Sequence, residues 1–334
     1  LTSGGTLANL TALIAARNIM SNNDVWEDGY AGEKLAVMVS SEAHYCVDKA
    51  ARIMGFGNEG IIKIPVTDGY VMDTDLLQKH LDDNLKKGIK VIAVVGSACS
   101  TSTGTYDDLS KIADFAEKNG LWFHVDGANG GAAIFSSKYK NLMKGIERAD
   151  SVVIDCHKML MAPALATALI FKNGKDSYKT FHQKAQYLWE KEDDLDWYNY
   201  GKRTMECTKL MMNLKFFVLL KLYGIDIFDE HVTALYDRGK EFAKLVKENK
   251  TFELAVNPQS NIVCFRLNNP KLTPDQKNDL NKRVRKFLLE DGEYYIVQTV
   301  LNGNVFLRTS IMNPFTEMKH FERLLQKIED FVKS

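Results

Sequence analysis

Hydrophobic positions along this chain fall into two regimes. Between Lys34 and Lys172, short β-branched runs alternate with stretches of helical periodicity, the pattern of a mostly parallel sheet covered by helices on both faces. Strands are predicted at 34–39, 91–95, 121–125, 151–154 and 166–171. Helices are predicted at 75–86 and 107–119, the latter closed by Gly120, a residue suited to the left-handed end of a helix. Ahead of this region, Leu7, Leu10, Leu13 and Ile14 share one face of a helix that follows Ser3-Gly4-Gly5-Thr6. The chain opens as a strand-to-helix turn with no strand before it, so the natural protein is expected to begin earlier. Beyond Lys172 the pattern changes. A charged, aromatic stretch at 184–201 reads as an exposed loop, 205–223 as a long apolar helix ending at Gly224, and 228–250 as a helix able to join two domains. Strands near 261–266, 294–300 and 304–309 and a last helix from Glu317 would complete a small α+β unit. The expected division is a large domain at 1–225 and a small one at 226–334.

Composition narrows the chemistry. The 334 residues, 45% of them hydrophobic, suffice for such a core, and 43 basic residues balance 43 acidic ones. Nothing in that balance favours nucleic acid or an anionic membrane, and no apolar run reaches the ~18 residues of a membrane span. A small-molecule partner fits better. The five cysteines form no C-x-x-C pair, which suits a reducing, cytoplasmic setting.

In a sheet of this kind ligands collect where strands end, so the residues just after each strand matter most. His44, Ser97, Asp126 and the pair His157-Lys158 occupy such ends. The Gly4-Gly5-Thr6 turn would present free helix amides to a phosphate, or could be an ordinary threonine-capped turn. Asp126 follows an apolar strand and needs a positive partner if buried, such as a protonated pyridine nitrogen, unless it caps a loop. Lys158 lies between Val152-Val153-Ile154 and Met159-Leu160-Met161, so desolvation would free its amine to attack an aldehyde; a snorkelling lysine is the alternative. His44, His124 and His157 could instead hold zinc, without any supporting spacing. Arg308, inside the apolar strand 305–311, is either an ion-pair partner or an anchor for a substrate carboxylate.

Together, Thr2-Ser3-Gly4-Gly5-Thr6-Leu7-Ala8-Asn9, Ser41-Glu42-Ala43-His44-Tyr45, His124-Val125-Asp126-Gly127-Ala128 and Asp150-Ser151 through His157-Lys158 resemble the group II pyridoxal-phosphate (PLP) amino-acid decarboxylases. The resemblance spans essentially the whole chain. It implies an α/β fold of type I, the PLP-dependent transferase fold, and a homodimer that releases CO2 from an L-amino acid. By the same resemblance Lys158 would carry PLP as a Schiff base, Asp126 would meet the pyridine nitrogen, and His44 and Ala128 would flank the ring. Gly5, Thr6 and His157 match phosphate contacts, Ser97 a hydroxyl near the ring, Tyr187 a proton donor on a mobile loop, and Arg308 a binder of the substrate carboxylate. Where such decarboxylases usually have alanine and an aromatic residue, this chain has Gly127 and Asn129, expected to widen the pocket and add an amide beside the cofactor. The rival expectations are an aminotransferase or carbon-sulfur lyase of the same fold, or a binding protein on a decayed one.

Overall fold

The structure, a computed structural model, describes residues 1–181 and 198–333. Its first half runs α1 (Gly5–Met20), α2 (Val25–Asp28), β1 (Lys34–Ser40), α3 (Tyr45–Ile53), β2 (Ile61–Ile64), α4 (Leu77–Leu85), β3 (Ile89–Ser97), α5 (Leu109–Asn119), β4 (Trp122–Asp126), β5 (Ser151–Asp155) and β6 (Thr167–Phe171). These strands make a six-stranded sheet in the order β2-β1-β3-β4-β5-β6. All pairs are parallel except β5 with β6. That reversal follows from the connection: a parallel return needs a crossover of a dozen or more residues, usually helical, whereas the segment from Cys156 to Ala166 turns back without a helix.

Both faces of the sheet are covered, which is why its strands read as unbroken apolar runs. Ala36 and Met38 of β1 join the cluster that holds Leu77 and Leu81 of α4 and Leu109 and Ile112 of α5. Leu35, Val37 and Val39 face the other way, onto Leu10, Leu13 and Ile14 of α1 and Cys46, Val47 and Ala50 of α3. Strand β2 escapes a reading of periodicity because only four residues, Ile-Ile-Lys-Ile, carry it.

The second half contains α6 (Met212–Tyr223), α7 (Asp226–Glu248), β7 (Phe252–Leu254), β8 (Ile262–Leu267), α8 (Pro274–Asp291), β9 (Val297–Leu301), β10 (Asn304–Ser310) and α9 (Met318–Lys333). Its strands form an antiparallel sheet in the order β7-β8-β10-β9. The buried face of α7, with Phe228, Val232, Leu235 and Tyr236, belongs to the same cluster as α4 and α5, so one core runs between the two sheets. Two expectations shift here. The helix expected at 205–223 begins only at Met212; ahead of it, Lys209 reaches the Leu1 carbonyl, 2.6 Å away, and Glu206. Helix α8 was missed: a Thr273–Gln276 capping box and Pro274 mark its start, but its mostly charged surface hides the apolar face of Leu280, Val284 and Leu288.

Candidate active site

The chemistry-bearing residues collect where β1, β3, β4 and β5 end, against the start of α1. Asp126 is the last residue of β4 and pairs in register with Ser97, the last of β3. Its carboxylate is buried. Oδ1 accepts the Ala128 amide at 3.2 Å, Oδ2 lies 3.8 Å from the Cys46 thiol, and among the described residues no cationic side chain pairs with it. A buried anion held by two weak neutral donors is a site made for a cation from outside the chain.

Lys158 follows β5 in a turn, and its surroundings differ from the apolar interior that the flanking residues suggested. Its side chain is about one third exposed, and Nζ lies 2.8 Å from Oδ2 of Asp155, which is itself buried. Asp155 also accepts a hydrogen bond from the Thr167 hydroxyl, and His157 Nε2 stands 3.9 Å from it. The His157 ring is fixed through Nδ1, 2.9 Å from the Ala166 carbonyl.

Gly5 opens α1 and packs hard against this corner. A Cβ built there would meet Ala128 Cβ at 3.1 Å and Asp155 Oδ2 at 3.3 Å, so a side chain would have to push these neighbours back by a few tenths of an ångström, and glycine lets the helix start approach the ends of β4 and β5 closely. No side chain caps the helix, and Thr6 is exposed beside its free amides. The threonine-cap alternative is therefore not the one adopted, and an anion would find those donors available. His44 is the N-cap of α3, accepting the Cys46 amide on Nδ1 at 3.3 Å. Burial holds its pKa below the ordinary value, with Asp126, Lys158, Arg308 and Asp155 all near enough to act on it.

Arg308 comes from β10 of the other sheet. Among the described residues its buried Nε has no hydrogen-bond partner and no carboxylate pairs with it; Nη2 donates to Ser310 Oγ at 2.9 Å, and burial lowers its pKa. Within those residues it is free to meet an anion. The three histidines do not converge: both ring nitrogens of His124 are engaged inside the core, by Ser151 Oγ at 2.8 Å and Asn9 Oδ1 at 2.7 Å, which leaves none for zinc.

Two expectations about the pocket, those for Gly127 and Asn129, are corrected. A Cβ on Gly127 would lie 2.7 Å from the Val153 carbonyl oxygen, so this glycine lets the loop approach β5 and does not widen the pocket. The Asn129 amide is not free beside a cofactor; Nδ2 donates toward Asn261 Oδ1 at 3.2 Å and Cys99 Sγ at 3.5 Å, tying the β4 loop to the segment before β8. Ser97 is engaged by Asp107, which accepts its amide at 2.8 Å and its hydroxyl as well. Tyr187 lies outside the described residues. Asp155, Cys46 and Asn9 were given no role from the sequence, although Asn9 and Asp155 lie inside the recognised motifs and Cys46 sits two residues after His44.

An α/β sheet that sets a buried, unpaired aspartate and a reachable lysine on neighbouring strand ends, beside an uncapped glycine-led helix, is of the PLP-dependent fold type I class. The comparisons carry this to the family. Residues 1–268 match the pyridoxal-dependent decarboxylase conserved domain, and the chain belongs to that family of amino-acid decarboxylases. It is 29% identical over 329 residues to the aromatic-L-amino-acid decarboxylase of Bacillus atrophaeus, covering 98% of this chain and 67% of that protein. Among solved structures it resembles the glutamate decarboxylase domain of a diaminobutyrate-pyruvate transaminase and L-2,4-diaminobutyrate decarboxylase from Vibrio parahaemolyticus, at 29% identity and a TM-score of 0.84 over 98% of this chain and 66% of that one. Oryza sativa TDC with PLP and tryptamine matches at 25% identity and a TM-score of 0.90, over 98% and 69% of the two chains. The chain thus spans about two thirds of the length of these relatives.

Proposed function

We propose that this chain carries the active site of a PLP-dependent carboxy-lyase that converts an L-amino acid into its amine and CO2. The observation that carries the reading is Asp126, buried at a strand end with no cationic partner among the described residues, and Lys158 in the turn after the adjacent strand. The residues present fit the cofactor: Lys158 would hold its aldehyde carbon, Asp126 its pyridine nitrogen, Gly5, Thr6 and His157 its phosphate, and His44 and Ala128 the two faces of its ring. Bound there, PLP supplies a sink for the electron pair left on Cα when CO2 departs. Asp126 keeps the ring nitrogen protonated, and Arg308 orients the substrate through a carboxylate. Tyr187 is assigned the return of a proton to Cα. The family match is to decarboxylases and does not favour an aminotransferase, a carbon-sulfur lyase or an inert relative. Relatives named for aromatic amino acids and for diaminobutyrate match about equally well, so we leave the side chain of the substrate open within the L-amino acids.

The homodimer is part of the proposal. Helix α6 leaves Leu214, Phe217, Leu222 and Tyr223 exposed, with Leu210 and Met211 just before it, an apolar surface of the kind a second copy would cover. Sedimentation of the chain as a monomer at micromolar concentration would remove that element. A cytoplasmic setting accords with free cysteines, four buried and Cys207 exposed, and no described helix is long and apolar enough to cross a membrane. The domain division at 225/226 is likewise proposed, supported by the two separate sheets.

Adding pyridoxal phosphate should give a visible absorbance band that Lys158→Ala abolishes, and a panel of L-amino acids should release CO2 only with the unsubstituted lysine. A full band or undiminished CO2 release in Lys158→Ala would overturn the reading.

A further inference from the structure

Asp126 stands at one end of a buried line of hydrogen bonds that the functional assignment above does not use. Trp122 Nε1 donates to Ser151 Oγ at 2.9 Å, and Ser151 Oγ lies 2.8 Å from His124 Nδ1. His124 Nε2 is 2.7 Å from Asn9 Oδ1, Asn9 Nδ2 is 3.5 Å from Cys46 Sγ, and Cys46 Sγ is 3.8 Å from Asp126 Oδ2. All of these side chains are buried, and they come from α1, α3, β4 and β5.

The hydrogens along this line can be placed. Asn9 Nδ2 also donates to the Gly5 carbonyl at 2.9 Å, which turns the Asn9 oxygen toward His124 and requires a hydrogen on His124 Nε2. Complete burial holds the His124 pKa down to about 4, so near neutrality the ring is uncharged and Nδ1 is an acceptor. The Ser151 hydroxyl then donates to Nδ1 while receiving the indole N–H. At the other end burial pushes the Cys46 thiol up, so it keeps its hydrogen; with sulfur accepting from Asn9, that hydrogen goes to the carboxylate. One direction satisfies every group, and each donor points toward Asp126.

We propose that Trp122, Ser151, His124, Asn9 and Cys46 form a positioning relay for the cofactor-binding carboxylate of Asp126, with Asn9 joining that carboxylate to the turn that opens α1. Aligned hydrogen bonds polarise one another, and a line that ends on an anion gains most from the alignment. The thiol and the Ala128 amide each take one carboxylate oxygen, which fixes the plane of the group. The thiol is a weak donor at long range, so it orients Oδ2 without competing for the charge that a pyridinium needs. Asn9 sets two distances at once, since its two amide hydrogens serve the Gly5 carbonyl and Cys46. The inference rests on Asp126 as the partner of the ring nitrogen and adds the residues that hold it there.

The test uses the full chain before and after pyridoxal phosphate is added. In the cofactor-free protein, the infrared S–H stretch of Cys46, identified by its disappearance in Cys46→Ser, should move to higher frequency in Asp126→Asn, because an amide oxygen is a weaker acceptor than a carboxylate. An unmoved band in folded Asp126→Asn protein overturns the relay. With pyridoxal phosphate, Cys46→Ala should weaken binding about fivefold, the worth of one modest hydrogen bond, and Cys46→Ser should restore it to within about twofold. Equal affinity in all three proteins also overturns it. Failure of the unsubstituted chain to capture pyridoxal phosphate sinks the functional reading, whereas the infrared shift is read without cofactor and decides the relay alone.

Discussion

Lys158 Nζ and Asp155 Oδ2 lie 2.8 Å apart, the ammonium partly in solvent and the carboxylate buried at the end of β5. The pair separates two consequences of changing the lysine. Lys158→Ala leaves a buried carboxylate with the Thr167 hydroxyl and, 3.9 Å away, His157 Nε2 as its neighbours, a poorly compensated charge expected to lower stability by about 1–3 kcal/mol in urea unfolding. The double variant Lys158→Ala/Asp155→Asn should recover most of that loss while remaining inactive. Equal stability of the alanine variant and the parent would show that the pair contributes nothing.

Gly127 is predicted to be a packing residue. Since an added methyl would sit 2.7 Å from the Val153 carbonyl, Gly127→Ala should destabilise the fold by about 1–3 kcal/mol. If it instead left the urea midpoint in place and only changed the KM for bulky amino acids, the pocket-widening expectation would be reinstated.

His124 gives a signed pH dependence. Its pKa falls from 6.5 unfolded to about 4 folded, so between those values the unfolded chain binds the extra proton and stability drops as the solution is acidified. Asp107 works the other way: burial raises its pKa from 3.8 to about 6, so its contribution is fullest below 3.8 and is lost as pH rises through about 6. The two oppose each other in overlapping windows, so the useful quantity is the difference between parent and His124→Gln. Going from pH 6.5 toward 4, the parent should lose on the order of 1–3 kcal/mol relative to the variant. Parallel stability curves would contradict the buried neutral imidazole.

Arg308 is predicted to act on substrate and not on cofactor. Arg308→Lys should raise the KM for the preferred L-amino acid by about tenfold or more while the visible band of bound pyridoxal phosphate persists, because a point charge cannot reproduce a guanidinium fork on a carboxylate. An unchanged KM would return Arg308 to a purely structural role.

Much of this was legible one residue at a time. The ends of the apolar runs at Val39, Val95, Val125 and Ile154 locate the carboxyl edge of the sheet, and from that edge Asp126 and Lys158 follow directly. Local pattern carries this information because strand burial on both faces demands consecutive apolar residues and leaves polar ones to the ends. It could not supply partners. Gly127 and Asn129 were judged by their neighbours in sequence, whereas their surroundings are Val153 and Asn261, brought close by strand pairing and by the second sheet. Lys158 looked apolar for a different reason: its partner Asp155 is only three residues back, and it is the turn after β5 that aims the two side chains at each other.

By itself, then, the order of apolar runs, glycines and strand-end polar residues determined the α/β architecture, its carboxyl edge and the lysine and aspartate proposed for the chemistry there, since burial acts on each residue of a strand separately. Only the tertiary structure decided which side chains meet: the aspartate that holds the lysine, the arginine delivered from β10, and the line of donors that ends on Asp126. The last two depend on how separate elements pack together, so no local stretch of sequence contains both partners, while Asp155 and Lys158, three residues apart, meet because the chain turns after β5.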